Sequence, residues 1–495
     1  MEHKKYFPIF IANWVSNEDG IEINAINNSI TFKGMDANTI TVVENLCSGK
    51  LSLHSVIFEL SNEWDEVQVT ALFELMIDKQ IIVDVKSLNK LANSALRKVE
   101  TVIPNQDVLS KMNIGYNIIY GKSSLETWSC GKDESLEIAK KKLISELIEW
   151  NIWSSSQKVI TSKLSTLDHG FVDPEDIIRY SGDQYLDSNF SFKRFNPLEK
   201  YGWLKVKNLF KNELVYVLAE HILFPYSYDF QYTISTSSGC AAHSIKEKVL
   251  NHALFEIIER DAFMIYWLNK LEMPILDQNT IPDYFEERIL TLSKLGYCIT
   301  IRDIGLDIAP VIFISVHNNN QEYITCSTAS GSNAVDIIES ALSEIEVAIL
   351  HLLNLDSNIH NNIKPKDVKT LQQHEELHQQ PRFKEETEFF FEKGKMISFN
   401  NFISDVNSVG NIVEKVQTLG FDVLELDASD WSIDILLPEF RFVSKVIVPG
   451  LVPLSYGYGN EPLGMSRIYK VPRELKLNRS NLSIGDINKF PHPFN

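Results

Sequence analysis

Ser237-Ser238-Gly239-Cys240-Ala241-Ala242-His243-Ser244, followed four residues later by Val249-Leu250-Asn251-His252-Ala253-Leu254-Phe255-Glu256-Ile257-Ile258-Glu259-Arg260-Asp261-Ala262, is the stretch from which the fold can be read. Its first half is a run of small residues around a glycine, the composition of a turn. Its second half belongs to a long amphipathic helix expected over Lys248 to Trp267. Glu256 and Glu259 stand at i and i+3 of that helix, so they lie about 60° apart and point one way. Ile257 and Ile258 between them make the helix partly buried, a costly setting for two carboxylates.

The pattern recurs. Leu143-Ile144-Ser145-Glu146-Leu147-Ile148-Glu149-Trp150 reads apolar, apolar, x, Glu, apolar, apolar, Glu, x, as Ala253 to Arg260 does. A third helix, Ile337 to Leu350, carries Glu344 and Glu346 between Ala341-Leu342 and Val347-Ala348. Converging carboxylates on partly buried helices repel one another unless a cation holds them. Mg²⁺, which takes one or two carboxylates together with substrate phosphates, suits such a set. The plain alternative is that each pair is a solvated face with Arg260 or a lysine as partner.

Around these helices strands alternate with helices. Trp203 to Ala219, Tyr297 to Arg302 and Ala309 to Val316 read as strands, and Val335 to Leu353 as another long helix. Residues 91–495 are therefore expected to form an α/β (α+β) body of mixed sheet and amphipathic helices. Asp356 to Lys395, rich in Asn, Gln, Glu and Lys, is expected to be a surface excursion. Residues 1–90 read as a unit of their own. β-like runs at Ile9 to Ile11, Ile21 to Asn24 and Ser29 to Lys33 precede helical periodicity over Thr41 to Leu46, Leu53 to Leu60 and Asp65 to Asp78, and Gln80 to Asp84 closes it as a strand. That order predicts a small winged-helix-like domain.

The 495 residues hold 47 Lys+Arg against 66 Asp+Glu, a net charge of −19. So acidic a chain excludes nucleic acid or an anionic membrane surface as principal partner. No apolar run approaches the roughly 20 residues of a membrane helix, and the N-terminus makes a poor signal peptide. Cys47, Cys130, Cys240, Cys298 and Cys326 lie far apart with no CxxC pair. That usage predicts a reduced, cytoplasmic protein, neither zinc ribbon nor disulfide scaffold.

On its motifs the chain resembles the YcaO-domain family. The SxGxAA turn and the helix ending ExxERDA, here Ser237 to Ala242 and Glu256 to Ala262, are that family's hallmark. Cys130-Gly131-Lys132 ahead of Glu146 and Glu149 is similar to its first GKG…ExxER helix. Val448-Pro449-Gly450-Leu451-Val452-Pro453-Leu454 is similar to its PGL segment, and the terminal Pro491-His492-Pro493-Phe494-Asn495 to the proline-rich end of its peptide-modifying members. The resemblance implies Mg²⁺ and ATP bound without a Walker loop, and no GxxxxGK[ST] occurs. It implies a cyclodehydratase that makes thiazoline or oxazoline rings from Cys, Ser or Thr of a ribosomal precursor peptide by phosphorylating the amide oxygen. It also implies that residues 1–90 recognise the leader peptide, and that a partner maturation protein, leader-binding or dehydrogenase, takes part. Carried over residue by residue, Glu146, Glu149, Glu256 and Glu259 would hold the metal. Lys132, Arg260 and Glu344 would join them around the nucleotide. The C-terminal carboxylate of Asn495, with Pro493 and Arg260, would stand on the catalytic side. A homodimer is the base-rate expectation.

Several positions depart from the family pattern. In SxxxExxER the serine is Lys142 and the arginine Trp150; an expected acid before Glu256 is Lys248, and an expected Asn is Ser244. After Glu344 an expected Gln is Val347 and an Arg is Ile349. An ammonium among the carboxylates could replace magnesium, and lost arginines are lost phosphate donors. Two readings follow: a working enzyme, or a degenerate subunit that uses no ATP and presents the precursor peptide to a catalytic partner. His374-Glu375-Glu376-Leu377-His378 matches HExxH, but with polar flanks and no apolar face it reads as coincidence rather than a zinc site. Cys240 is expected to pack, and Tyr456-Gly457-Tyr458-Gly459-Asn460 to be a flexible loop.

Overall fold

The computed structural model describes residues 6, 8–10, 13–17, 20–25, 28–33, 35–47, 51–79, 81–84, 100–102, 104, 109, 112, 114–122, 128–154, 158–224, 226, 231–318, 324–354, 363–392, 394–429, 442–477 and 483–494. In the N-terminal part β1 (Pro8–Phe10) is followed by an antiparallel meander of β2 (Asn13–Asn17), β3 (Gly20–Ala25) and β4 (Asn28–Lys33). Helices α1 (Ala37–Leu46), α2 (Leu53–Leu60) and α3 (Glu66–Asp78) come next, and β5 (Ile82–Asp84) returns to pair with β1. Each helix begins on a side-chain cap: Asp36, Ser52 and Asp65 accept from the N–H groups of Thr39, Ser55 and Gln68. Ile21, Ile23, Ile40, Val43, Val56, Phe73 and Met76 form a core of this part's own.

The larger body opens with the antiparallel strands β6 (Glu100–Val102), β7 (Asn117–Lys122) and β8 (Trp128–Asp133), on which α4 (Leu136–Trp153) packs. After β9 (Ile160–Lys163) and the short α5 (Pro174–Ile177), a sheet is built from β10 (Lys200–Asn208), β11 (Glu213–Leu218), β12 (Cys240–His243), β18 (Leu424–Asp427) and β19 (Phe442–Ile447), in the order β11-β10-β18-β19-β12. A second sheet has the order β16-β15-β14-β13-β17, with β13 (Ile275–Leu276), β14 (Tyr297–Asp303), β15 (Ile312–Asn318), β16 (Ile324–Ala329) and β17 (Met396–Ile397).

Helix α6 (Lys246–Asn269) lies between these sheets. Phe263 and Tyr266 meet Phe313 of β15, and the same core takes in Val446 of β19. Helices α7 (Asp283–Lys294) and α8 (Ala334–Asn354) cover the opposite face of the second sheet. The alternation along β15 follows from this: Ile312, Ile314 and Val316 join the α7–α8 core while Phe313 faces α6. From Ala262 to Asn269 every residue of α6 is buried, the mark of a helix enclosed on all sides.

The described part of the polar segment after Asp356, residues 363–392, is not a surface excursion, and residues 357–362 lie outside the described ones. Helix α9 (Leu371–His378) and the 3₁₀ stretch Pro381–Phe390 bury His374, Leu377, His378, Thr387, Phe389 and Phe390. Phe390 stacks on Tyr266 with centroids 5.8 Å apart, and Phe389 packs on Trp267 at 5.7 Å. Polarity misled here because the inward face of α9 is made of histidines with backbone partners. Helices α10 (Phe399–Val409), α11 (Ile412–Thr418) and α12 (Arg467–Glu474) complete the body. Among the described residues no helix is long and apolar enough to cross a membrane, and all five cysteines are free.

Candidate active site

Three helices bring the glutamates together. Gly131 lets β8 lie directly on α4: a Cβ there would sit 1.9 Å from the Ala139 carbonyl oxygen. That approach lets the Cys130 N–H donate to Glu146 Oε2 at 3.2 Å, and Lys132 Nζ donates to Ser343 Oγ of α8 at 2.6 Å. The turn before β12 does the same for α6. Gly239 has φ +80° and lies against the Val446 carbonyl, and its N–H donates to Glu256 Oε2 at 3.3 Å.

Arg260 is the hub. It pairs with Glu259 through Nη1 and with Glu256 through Nη2 at 3.3 Å, while Thr328 Oγ1 donates to Glu259 at 2.5 Å. Its guanidinium lies 4.5 Å over the ring of Phe494. Arg260 Nε is buried and has no hydrogen-bond partner among the described residues.

The carboxylates feel one another. Burial raises Glu146 to about 7, against the Cys130 N–H and Lys132, which lower it. Glu149 rises to about 8 through burial and then the charges of Glu146 and Glu256. Burial also raises Glu256, and Glu259 to about 8, with Arg260 opposing in both. Glu344 stands exposed at the rim, its charge acting on Glu146, Glu256 and Glu259. The result is a half-open acidic site with protons where a cation could sit.

All five predicted glutamates, Lys132 and Arg260 thus meet. Pro493 is buried in the C-terminal segment that ends under Arg260, and Asn495 lies outside the described residues. The departures look different in place. Lys142 is bound outside the cluster, to Asp133 at 2.9 Å and the Lys132 carbonyl at 3.1 Å. Lys248 is exposed, and its charge falls on His243 and His252. Val347 is half-buried and Ile349 lies in the core beneath α8; the Trp150 side chain is outside the described ones.

Two functional contributors were missed. Lys445, opposite Cys240 in the β12–β19 ladder, is the buried ammonium beside Glu256, held by the Thr236 carbonyl and lying 5.1 Å over Phe224. Its only sequence signal is a charge inside the apolar strand β19. Asp261 ties α6 to the Pro449–Val452 segment and to Arg467. Cys240 packs as expected, its thiol pushed up by burial. The Tyr456 to Asn460 stretch is a tight turn, with Gly457 and Gly459 at positive φ. A cavity of about 860 Å³ lies at the far end of α6 beside Lys270, Lys366 and Lys489 and holds none of these carboxylates.

Residues 130–452 match the model of the YcaO cyclodehydratase family, described as ATP- and Mg²⁺-binding. The chain belongs to the YcaO cyclodehydratase family. No curated protein matches it in sequence. Among solved structures this YcaO protein is similar to a heterocyclase in complex with substrate and cofactor, at 17% identity and a TM-score of 0.64, over 82% of this chain and 57% of that one. It therefore spans little more than half the length of that enzyme. It is also similar to the heterocyclase TruD, 13% identical with a TM-score of 0.53 over 99% of this chain and 100% of that one. The YcaO protein of Methanopyrus kandleri, bound with AMPPCP and Mg²⁺, is 16% identical with a TM-score of 0.53 over 74% and 91%. At such identities these likenesses establish the fold.

The orphaned, buried Arg260 Nε fits an anionic ligand beside the carboxylates.

Proposed function

We propose that this YcaO protein is an ATP-dependent cyclodehydratase acting on Cys, Ser or Thr residues of a ribosomally made precursor peptide. The observation that carries this is the set of five electrostatically linked glutamates from three helices, with Arg260 among them and its buried Nε unpartnered. One or two carboxylates of the set Glu146, Glu149, Glu256 and Glu259 would hold each Mg²⁺ together with phosphate oxygens, and the bound nucleotide would supply a phosphoryl group for the amide oxygen. Arg260 offers Nε to a phosphate while Glu256 and Glu259 hold its Nη atoms in place. Lys132 and Glu344 flank the nucleotide from β8 and α8. The chemistry then rests on positioning and charge stabilisation: a thiol or hydroxyl adds to the preceding carbonyl, and phosphorylation makes the oxyanion a leaving group.

The degenerate-subunit reading is less supported, because Lys142 is paired with Asp133 and the charge of Lys248 falls on His243 and His252. Residues 1–90 provide sheet edges on which a leader peptide could add as a strand, with a partner maturation protein acting beside this chain. The free cysteines accord with a cytoplasmic setting. The test is ATP-dependent loss of one water per ring from a Cys/Ser/Thr-rich peptide encoded beside the gene, read by mass spectrometry. Glu256→Gln should abolish it. Unchanged peptide mass with wild-type protein, peptide, any partner encoded alongside and Mg-ATP would overturn the reading.

A further inference from the structure

The C-terminal segment reaches Arg260 without belonging to a sheet, and its composition makes that a problem. Pro491 and Pro493 have no N–H to give a ladder, so the carbonyls between Phe490 and His492 need donors from elsewhere. Three successive carbonyls receive one each. Trp267 Nε1 donates to Phe490 O at 2.9 Å, His378 Nε2 to Pro491 O at 2.7 Å, and His374 Nδ1 to His492 O at 2.7 Å. Two of these donors are the histidines of the HEELH sequence on α9.

The tautomers are fixed by the partners. The Gly457 N–H donates to His374 Nε2 at 2.9 Å, so that nitrogen is bare and Nδ1 carries the proton. Both nitrogens of His374 are thereby used, and none is left for a metal. His492 is anchored in turn, Nε2 to the Ser455 carbonyl at 2.9 Å. Beyond it Phe494 bridges to Cys326 of β16 and packs on Phe263 at 4.7 Å beneath the Arg260 guanidinium.

We propose that α9 is a clamp for the C-terminal segment, with His374 and His378 as positioning residues that hold Pro491 to Phe494 in register under Arg260. This rests on the cyclodehydratase reading only for its catalytic consequence. HExxH here answers the hydrogen-bonding need of a proline-rich tail. Burial keeps both imidazoles neutral, His374 near 4 and His378 near 3, so the clamp holds throughout the neutral range.

The test uses the full chain with His378→Met, which fills the volume without a donor, and His378→Gln, which keeps an N–H near the place of Nε2. Amide hydrogen exchange is followed at residues 484–494, with the β15 amides as internal control. In His378→Met the His492 and Phe494 amides should exchange about tenfold faster with β15 unchanged, and in His378→Gln within about twofold of wild type. Ring formation in His378→Met should lose about tenfold in kcat with peptide KM unchanged, and His378→Gln should restore it. Unaltered tail exchange in His378→Met, or equal acceleration in both variants, overturns the clamp. Should His378→Met unfold, His374→Asn decides. It keeps a donor near the place of Nδ1 for His492 O but has no atom that reaches the place of Nε2 to accept from Gly457, so it should free the Gly457 amide and leave Phe494 protected; a freed Phe494 overturns the proposal. If the wild type makes no ring, the cyclodehydratase reading fails while exchange still judges the clamp.

Discussion

Arg467 Nε lies 2.8 and 2.9 Å from the two carboxylate oxygens of Asp261, deep in the body, and the Val452 N–H donates to the same carboxylate at 2.8 Å. Arg467 also reaches Asp307, at 2.9 and 2.5 Å. The aspartate after Arg260 therefore serves structure: it ties the carboxylate helix to the segment that follows β19 and to α12.

Asp261→Asn should accordingly destabilise the protein by about 2–3 kcal/mol. Removing one partner of a buried pair leaves the other uncompensated, and Asp307 offsets part of that cost. Urea unfolding measures it. A loss below about 0.5 kcal/mol would show that the pair can be relaxed by solvent.

Gly131→Ala should cost roughly 3 kcal/mol and weaken Mg-ATP binding. The added Cβ meets backbone atoms of Ala139 and Leu143, which cannot swing away as a side chain tip could. Prising β8 from α4 also moves the Cys130 N–H off Glu146. A variant with wild-type melting temperature and ATP affinity would contradict the close approach.

The raised carboxyls set a pH dependence of stability. Glu146 near 7, and Glu149 and Glu259 near 8, keep protons in the folded state that the unfolded chain has released above its ordinary value of 4.5. Folded-state stability from these groups is full below about 4.5 and is lost as pH rises through 7 to 8. The ligand-free melting temperature should fall between pH 6 and 8.5, and Glu149→Gln should flatten that fall. Mg-ATP should release protons on binding at pH 7, seen by calorimetry in buffers of different ionisation enthalpy. A ligand-free profile rising over this range would refute the assignment.

The carboxylate helices were legible because ExxE at helical spacing, repeated, fixes which side chains point together before any tertiary contact is known. The α/β body was legible from the same periodicities. What composition hid was partnering. Lys248 looked like an intruder because sequence spacing says which way a side chain leaves the helix axis, not whether that part of the helix is exposed. His374 and His378 looked solvated because their partners, Pro491 and His492, lie more than a hundred residues away. Lys445 gave only a charge within an apolar strand, and its meeting with Glu256 depends on the β12–β19 register.

That register makes the last expectation specific. Burial lowers Lys445 as it raises Glu256, and the ammonium is among the charges that hold the Glu256 carboxyl down. Lys445→Met should therefore push Glu256 higher still, so that at lower pH a proton competes better with magnesium for the carboxylate. Mg-ATP affinity should drop about fivefold at pH 6.5 and by less at pH 8.5, where fewer protons compete for the carboxylate. Lys248→Glu, on the exposed side near His243 and His252, should change affinity by less than about twofold at either pH, since solvent screens it. Calorimetry at the two pH values separates the cases. Equal losses at both in Lys445→Met would mean that this ammonium binds the nucleotide itself rather than tuning its neighbour.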